Sequence, residues 1–129
     1  MIMIKKIDSI GLFSENAKKL KDFYVEKVGL KVSMEGEMGE NNDVLYGFDI
    51  GEKENFFIMS HSEVKGKNKN PERYLINFEV DDIDKEVEKL KSNDVKQIQE
   101  KYHVEGYGYI STFEDSDGNY FQLVQVREN

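Results

Sequence analysis

Histidine, cysteine and carboxylate side chains carry out most of the chemistry in proteins. This chain has few histidines and no cysteine. There are two histidines, His61 and His103, and no cysteine among the 129 residues. A thiolate nucleophile, a disulfide and a zinc–thiolate site are therefore excluded. His103 lies in the segment KYHVEGYGY and could act as an acid or base at a pocket mouth, or be a surface residue of a connecting loop. His61 begins a polar stretch, and we expect it to be exposed.

Two further groups of side chains could recognise a ligand. Tyr102, Tyr107 and Tyr109 could stack on a planar or cationic molecule, or could pack within a strand or at a dimer interface. Glu79 could hold a cation if it were buried, and Gln122 could form hydrogen bonds with a polar ligand. A partly exposed position on a strand is the alternative interpretation of Glu79.

The elements that must position these residues occur twice. Residues 62–73, SEVKGKNKNPER, are polar, contain the only proline and separate two halves with the same pattern. We predict one domain over residues 1–129, with a first βαβββ module at 5–61, a linker at 62–73 and a second βαβββ module at 74–127. The predicted strands are 6–13, 30–35, 44–49 and 55–60 in the first half, and 74–80, 96–101, 108–114 and 119–126 in the second.

Individual residues indicate where several of these helices and strands begin or end. Gly29 is placed to end the first helix, and Asp81 or Asp82 to begin the second. The sequence DSDG at 115–118 predicts a tight turn between the last two strands.

Alternation along the strands predicts two different sheet faces. The face expected against the helices is apolar: Ile10, Leu12, Phe57, Met59, Ile76, Phe78, Val80, Phe121 and Leu123. The other face mixes polar, aromatic and small residues: Ser9, Gly11, Phe13, Phe56, Ile58, Ser60, Leu75, Asn77, Glu79, Tyr120, Gln122 and Val124. Such a mixture is typical of a ligand-binding concavity, although a subunit contact or a half-solvated face would also account for it.

Three segments in register carry a resemblance to a known superfamily. They are FYVEKVGL at 23–30, FEVDDID at 78–84 and FEDSDGNYFQL at 113–123, where Ser116 replaces the usual proline. Together they span most of the chain, which resembles the vicinal oxygen chelate superfamily of glyoxalase I, extradiol dioxygenases and bleomycin- and fosfomycin-resistance proteins. The resemblance implies an α+β fold of paired βαβββ modules whose mixed sheet forms an open cup with the helices outside. It also implies a homodimer.

The same resemblance implies where a divalent metal would bind. Enzymes of the superfamily hold it with His, Gln and Glu side chains on the first and fourth strand of each module, and those positions fall here on Ser9, Ile58, Leu75 and Gln122. Leu75 and Ile58 offer no lone pair and Ser9 is a poor neutral ligand, so one amide oxygen remains. We therefore predict no metal and no other cofactor.

The resulting functional prediction is metal-independent binding of a small molecule, resembling the bleomycin-resistance branch, in which a cationic or aromatic compound is sequestered unchanged. We assign no catalytic residue. The predicted ligand-binding residues are Phe13, Phe56, Tyr109 and Tyr120 for stacking, with Ser9, Asn77, Glu79 and Gln122 for polar selection. Two alternatives stay open: a metal-dependent enzyme of the glyoxalase or dioxygenase type with ligands elsewhere, and a non-catalytic interaction module.

The charge and hydropathy of the sequence limit which classes of molecule we expect the protein to bind. The chain has 18 basic and 26 acidic residues and a formal net charge of −8, which argues against nucleic acid, since that partner requires a basic face. The sequence lacks an apolar run long enough for a membrane helix, and its start, MIMIKKIDSI, lacks the order of a signal peptide. We expect a cytoplasmic protein with no membrane partner.

Overall fold

A computed structural model describes residues 3–38 and 43–126, with Met38 described by its backbone alone. The chain divides into two compact units, Met1–Gly66 and Lys67–Asn129. The boundary between them falls within the stretch predicted as a linker. The predicted last residue of the second module, 127, lies outside the described residues.

The first unit is a four-stranded mixed sheet with one helix. Its elements are β1 (Ile10–Ser14), α1 (Ala17–Phe23) continued by a π-helical stretch (Tyr24–Val28), β2 (Val32–Met38), β3 (Asp43–Ile50) and β4 (Glu52–Ser60). The strand order is β1-β4-β3-β2, with β1 parallel to β4 and the other neighbours antiparallel.

Helix α1 begins and ends at residues suited to those positions. The Asn16 side chain accepts a hydrogen bond of 3.1 Å from the Lys19 N–H, which satisfies a donor that the first helical turn leaves unpaired. The helical segment ends at Gly29, whose φ of 94° lies in the left-handed region that glycine adopts without strain. The buried side chains of the helix are Ala17, Leu20, Phe23, Tyr24 and Val28.

The second unit repeats the order of the first. Its elements are β5 (Ile76–Glu79), α2 (Ile83–Ser92), β6 (Lys96–Val104), β7 (Gly108–Glu114) and β8 (Tyr120–Val126). The strand order is β5-β8-β7-β6, and β5 runs parallel to β8. Two four-stranded mixed sheets, each in βαβββ order, confirm the predicted α+β class.

Polar turns set the ends of the second sheet's elements. Of the two predicted candidates, Asp82 caps α2, accepting a hydrogen bond of 3.2 Å from the Lys85 N–H. Between β7 and β8, the Asp115 carboxylate is 3% exposed and accepts hydrogen bonds from the backbone N–H groups of Asp117 and Asn119. The predicted turn is therefore present, and it fixes where β8 begins.

The face predicted for β4 is wrong by one residue. In the parallel pairing, Ile10 lies opposite Phe56 and Leu12 opposite Ile58, so Phe56 and Ile58 are on the helix side. Phe56 is 3% exposed, and its ring centroid lies 5.6 Å from that of Tyr24. All four residues from 56 to 59 are apolar, so the sequence could not show which pair faces α1, and a slip of one residue reverses every side chain.

Candidate ligand-binding site

The side of the second sheet that faces away from α2 combines polar and aromatic side chains. Strand pairing places Gln122 opposite Thr112 of β7 on one side and opposite Asn77 of β5 on the other. The alternate residues, Ile76, Phe78, Phe121 and Leu123, are buried on the side of the helix. The expected division into an apolar face and a mixed face is thus present in this unit.

A cavity of about 450 Å³ opens on the mixed face. It is lined by Glu72, Leu75, Ile98, Gln99, Tyr102, Thr112, Tyr120 and Gln122. Cavities of roughly 300–1,000 Å³ with apolar walls and a few polar groups are the usual sites for small organic ligands.

One hydrogen bond orders the polar part of this cavity. The Gln122 amide donates from Nε2 to the Thr112 hydroxyl, 2.9 Å away. Thr112 is 6% exposed, so water competes little for this bond. This hydrogen bond ties the Gln122 side chain to β7 within the cavity lining.

The apolar part of the cavity consists of two tyrosines and two aliphatic side chains. Tyr102 is 41% exposed, and Tyr120 is half-buried at the first position of β8. Leu75, just before β5, and Ile98 in β6 supply the aliphatic surface. Such surfaces bind flat organic rings by dispersion and by removal of apolar area from water.

The predicted ligand-binding residues do not all come together. Tyr120 and Gln122 line the cavity. Asn77 and Glu79 lie on the same sheet face and are exposed, but outside the cavity lining. In the first unit, Ser9 is an exposed residue preceding β1.

Phe13 also belongs to the first unit, where it is 50% exposed on the side of the sheet away from α1. Its ring lies 5.3 Å from that of His61, edge to face. His61 is half-buried rather than exposed as predicted, and its Nδ1 accepts a hydrogen bond of 3.1 Å from the Glu63 N–H.

Tyr109 lies on the opposite face of the second sheet from the cavity, since its β7 neighbours Gly108 and Ile110 alternate with it. The Lys101 ammonium lies 5.1 Å from the Tyr109 ring centroid and forms a 2.8 Å ion pair with Asp84 of α2. The hydrogen bond to Asp84 raises the pKa of Lys101. His103, which belongs to β6 rather than to a loop, places its ring 4.9 Å from Tyr109. These contacts join β6 and β7 to α2 and leave Tyr109 outside the cavity.

Six of the eight lining residues were not among the predicted ligand-binding residues. Leu75 had been placed on the mixed face and Tyr102 among the candidates for stacking, and the other four had no assigned role. Thr112 could have been found, because alternation from Ile110 along β7 places it on the cavity face. Ile98 and Gln99 could not, since β6 has register shifts between Gln97 and Gln99 and between Gln99 and Tyr102. Such irregularities re-aim side chains without a clear sequence signal. Glu72, the fourth, precedes β5 in a short 3₁₀ turn at Pro71–Arg73.

The corresponding face of the first sheet carries apolar side chains. Phe57 and Met59 of β4 point to this side. A Cβ placed on Gly11 would lie 2.9 Å from the Met59 methyl carbon, and one on Gly47 only 2.6 Å from Met34 Cγ. The methionine side chains thus lie directly against the backbone at these two glycines.

The positions implied for a divalent metal do not fit one. Leu75 and Gln122 line the cavity of the second unit, Ser9 precedes β1, and Ile58 is buried beneath α1. Within residues 3–38 and 43–126, no three His, Asp or Glu side chains are grouped so as to hold a metal. A single amide oxygen and aliphatic carbons do not make a divalent-metal site.

No helix in the part of the chain that the structure describes is long and apolar enough to cross a membrane.

Comparison with known proteins agrees with the fold. The family model described as Glyoxalase/Bleomycin resistance protein/Dioxygenase superfamily matches residues 6–123. The chain belongs to this superfamily. An uncharacterized protein of Bacillus subtilis strain 168, YetH, is 32% identical over 121 residues, covering 94% of this chain and 98% of YetH.

Solved structures share the architecture at low sequence identity. A glyoxylase/bleomycin resistance protein/dioxygenase domain from Frankia sp. EAN1pec is similar with a TM-score of 0.77 at 14% identity, covering 96% of this chain and 99% of that domain. TnmS3, described as an antibiotic-binding protein from Streptomyces sp. CB03234, is similar with a TM-score of 0.69 at 19% identity, covering 98% of this chain and all of TnmS3.

Proposed function

We propose that the protein binds a small, largely aromatic molecule in the cavity of its second unit, without a metal ion and without transforming the molecule. The observation that carries this proposal is the cavity of about 450 Å³, which combines two tyrosines and two aliphatic side chains with the uncharged groups of Gln99, Thr112 and Gln122. A binding protein for an antibiotic with the same fold, TnmS3, supports ligand binding by this architecture.

The chemistry of the lining favours binding over catalysis. A metal-dependent enzyme of the superfamily would need a Lewis acid held by imidazole and carboxylate side chains. The cavity instead offers Leu75 and Gln122 at the corresponding positions, and its only charged lining residue among those described is Glu72. Neither histidine is among the lining residues.

A screen of aromatic antibiotics and dyes against the full chain tests the proposal. Thermal-shift hits would be measured by isothermal titration calorimetry in buffer treated with EDTA and in untreated buffer. We expect Kd values that agree within about twofold, because no ligand contact passes through a metal ion. Compounds recovered after incubation should be unchanged by mass spectrometry.

Two tyrosine variants locate the site. Tyr120→Ala should weaken binding by about tenfold or more, as expected for a buried aromatic contact. Tyr107→Ala, a matched control in the β6–β7 turn outside the cavity lining, should leave the Kd unchanged. Binding that EDTA abolishes and a stoichiometric divalent ion restores would overturn the proposal, as would equal effects of the two substitutions.

We also propose a homodimer. Within its own unit, β1 pairs with a neighbour on one edge only, and it carries the exposed apolar side chains of Ile10 (39%) and Phe13 (50%). Open strand edges with apolar side chains are usually covered. Light scattering after size-exclusion chromatography should give twice the chain mass of 15.1 kDa, and a monomeric mass at micromolar concentration would contradict the proposal.

A further inference from the structure

We propose that Asn68 is a positioning residue of the ligand site, because it fastens the segment that supplies Glu72 to the turn that precedes Tyr120. This inference rests on the proposed function and concerns a residue outside the cavity lining. It depends on three features of the second unit: the exposure of the segment at 67–75, a chain of side-chain hydrogen bonds that ends at the buried Asp115, and the fixed direction of that chain.

The segment at 67–75 has little apolar attachment to the rest of its unit. Asn68 and Pro71 are half-buried, and the other seven residues are exposed. The segment nevertheless supplies two of the eight residues of the cavity lining, Glu72 and Leu75. A stretch of chain with few buried apolar contacts opens at a small cost in free energy. Hydrogen bonds therefore have a large share in holding this wall of the cavity in place.

Asn68 joins the segment to the β7–β8 turn by two hydrogen bonds. Its backbone N–H donates to the Asp117 carbonyl oxygen at 2.8 Å, and its Nδ2 donates to Asn119 Oδ1 at 2.9 Å. Asn119 immediately precedes Tyr120, which lines the cavity. One wall of the cavity is thus fastened directly beside another.

The direction of the chain of hydrogen bonds is fixed at its two ends. At one end the Asn70 N–H, which can only donate, lies 2.8 Å from Asn68 Oδ1. At the other end Asn119 Nδ2 donates to Asp115 Oδ2 at 3.0 Å, and an ionised carboxylate only accepts. Each of the two asparagines must therefore accept at one atom of its amide and donate at the other. Neither alanine nor an ionised aspartate can do both.

The Asn68 side chain also supports the turn that carries Glu72. It accepts from the Asn70 N–H, and the Asn70 carbonyl oxygen accepts at 3.1 Å from the Arg73 N–H, which closes the 3₁₀ turn at Pro71–Arg73. Glu72 is the only charged residue among the described residues of the lining. Loss of the Asn68 amide should therefore let this carboxylate move away from the cavity and weaken the binding of a cation.

Solvent-exchange NMR on the ligand-free full chain tests the attachment. In Asn68→Ala, exchange at the Asn70 and Arg73 amides should become about fivefold faster or more, the usual effect of losing a hydrogen bond. Asn70→Ala is the matched control, because the Asn70 side chain forms no capping hydrogen bond within the described part of the chain and its backbone groups are kept. It should leave exchange at Arg73 within about twofold, and exchange at Lys85 in α2 should stay the same in both variants.

Fluorescence titration with 9-aminoacridine, a planar cation at neutral pH, tests the effect on the site in buffer containing EDTA. Asn68→Ala and Glu72→Gln should each weaken its Kd by about threefold or more, whereas Asn70→Ala should leave it within about twofold. Because Asn68 is proposed to act through Glu72, Asn68→Ala should cost less than about 1.5-fold further in the Glu72→Gln background. Asn119→Ala, which removes the same link from the other side, should reproduce the effect of Asn68→Ala.

The outcomes separate this inference from the proposed function. Unchanged exchange at Asn70 and Arg73 in Asn68→Ala, or an unchanged Kd despite faster exchange, would show that Asn68 does not position the site, and metal-independent binding would stand. Equal losses of affinity from Asn68→Ala in the wild-type and Glu72→Gln backgrounds would also overturn the inference. If 9-aminoacridine does not bind the wild-type protein, the inference fails, and the antibiotic and dye screen decides the proposed function separately. Circular dichroism of each variant checks folding, and Asn119→Ala keeps the test decisive should Asn68→Ala fail to fold.

Discussion

Gln122 and Thr112 are directly opposite in the β7–β8 pairing, and a hydrogen bond of 2.9 Å joins Gln122 Nε2 to Thr112 Oγ1. The register of two strands thus determines which polar atoms face the cavity. The turn at 115–118 in turn fixes that register, because the buried Asp115 carboxylate accepts backbone hydrogen bonds from Asp117 and Asn119. A tight turn that ends four residues before Gln122 therefore positions a polar group of the proposed ligand site.

Gly47 lies against the Met34 side chain in the first sheet and should not accept a side chain of its own. A Cβ at residue 47 would lie 2.6 Å from Met34 Cγ and 3.0 Å from Phe57 Cε1. We expect Gly47→Ala to reduce the free energy of unfolding by about 1–3 kcal/mol, the usual cost of overpacking. Urea denaturation of the full chain measures this loss.

Gly36→Ala is the matched control for that experiment, because no atom lies within 4 Å of its added Cβ. It should change the stability by less than about 0.5 kcal/mol, or raise it slightly, since alanine loses less backbone entropy on folding. Equal losses for the two substitutions would show that the methionine contact does not limit space at residue 47.

The corrected register of β4 predicts unequal roles for two adjacent phenylalanines. Phe56 is 3% exposed, contacts Tyr24 and lies 5.5 Å from Phe48 between ring centroids, whereas Phe57 is only half-buried on the other side. Phe56→Ala should cost about 3–5 kcal/mol of unfolding free energy. Phe57→Ala should cost about half as much or less, since less apolar area returns to water. If urea denaturation showed a larger loss of unfolding free energy for Phe57→Ala than for Phe56→Ala, the face of β4 predicted from the sequence would be the correct one.

Tyr109 should contribute to stability and not to ligand affinity. Its ring contacts the Lys101 ammonium, which pairs with Asp84 of α2. Tyr109→Leu should lower the unfolding free energy by about 0.5–1 kcal/mol, the range for an exposed cation–π contact. The Kd for a ligand found in the antibiotic and dye screen should stay within about twofold, while Tyr120→Leu weakens it. A weaker Kd in Tyr109→Leu at unchanged stability would place Tyr109 at the ligand.

The ion pairs of α1 should make part of the folding stability depend on pH in the acidic range. Asp22 lies 2.8 Å from the Lys18 ammonium and 2.7 Å from that of Lys21, and the hydrogen bond from Lys18 is the largest cause of the lowered Asp22 pKa. A carboxylate whose pKa is lower in the folded state stabilises the fold above its unfolded pKa of about 3.9 and loses that contribution as pH falls through the folded value.

Asp22→Asn should therefore unfold more easily than wild type at pH 7, and this difference should shrink below about pH 4. Denaturation midpoints between pH 7 and pH 3 measure it. Because the group is on the surface, 1 M salt should reduce the difference at pH 7. In a Lys18→Met/Lys21→Met background, Asp22→Asn should have little effect at any pH, and a persisting effect would assign the contribution to another partner.

Local signals in the sequence were sufficient for most of the fold. Asn16 and Asp82 cap the helices, Gly29 ends the first, and the turn at 115–118 joins β7 to β8. Each of these depends on the conformational preference of one residue or on a hydrogen bond to a residue at most four positions away, so a short stretch of sequence contains the information. The repeated order of elements followed from those signals.

The site was only partly predictable, because its members come from separate strands. Tyr120 and Gln122 stand out beside a recognisable turn, but Thr112 joins them only through the β7–β8 register. Phe56 and Tyr109 are aromatic residues on strands, as a stacking residue would be, yet both face the helix side of their sheets. Composition cannot distinguish the two sides of a strand that is apolar on both.

The sequence alone determined the α+β class, the superfamily resemblance, and the lack of a donor atom at two of the four positions implied for a metal, since the side chains of Leu75 and Ile58 contain none in any conformation. The tertiary structure alone decided which side of each strand faces the helix and which residues line the cavity. The physical reason is that strand side chains alternate with a period of two, so one residue of register, set by cross-strand neighbours far away in sequence, reverses the role of every side chain on the strand.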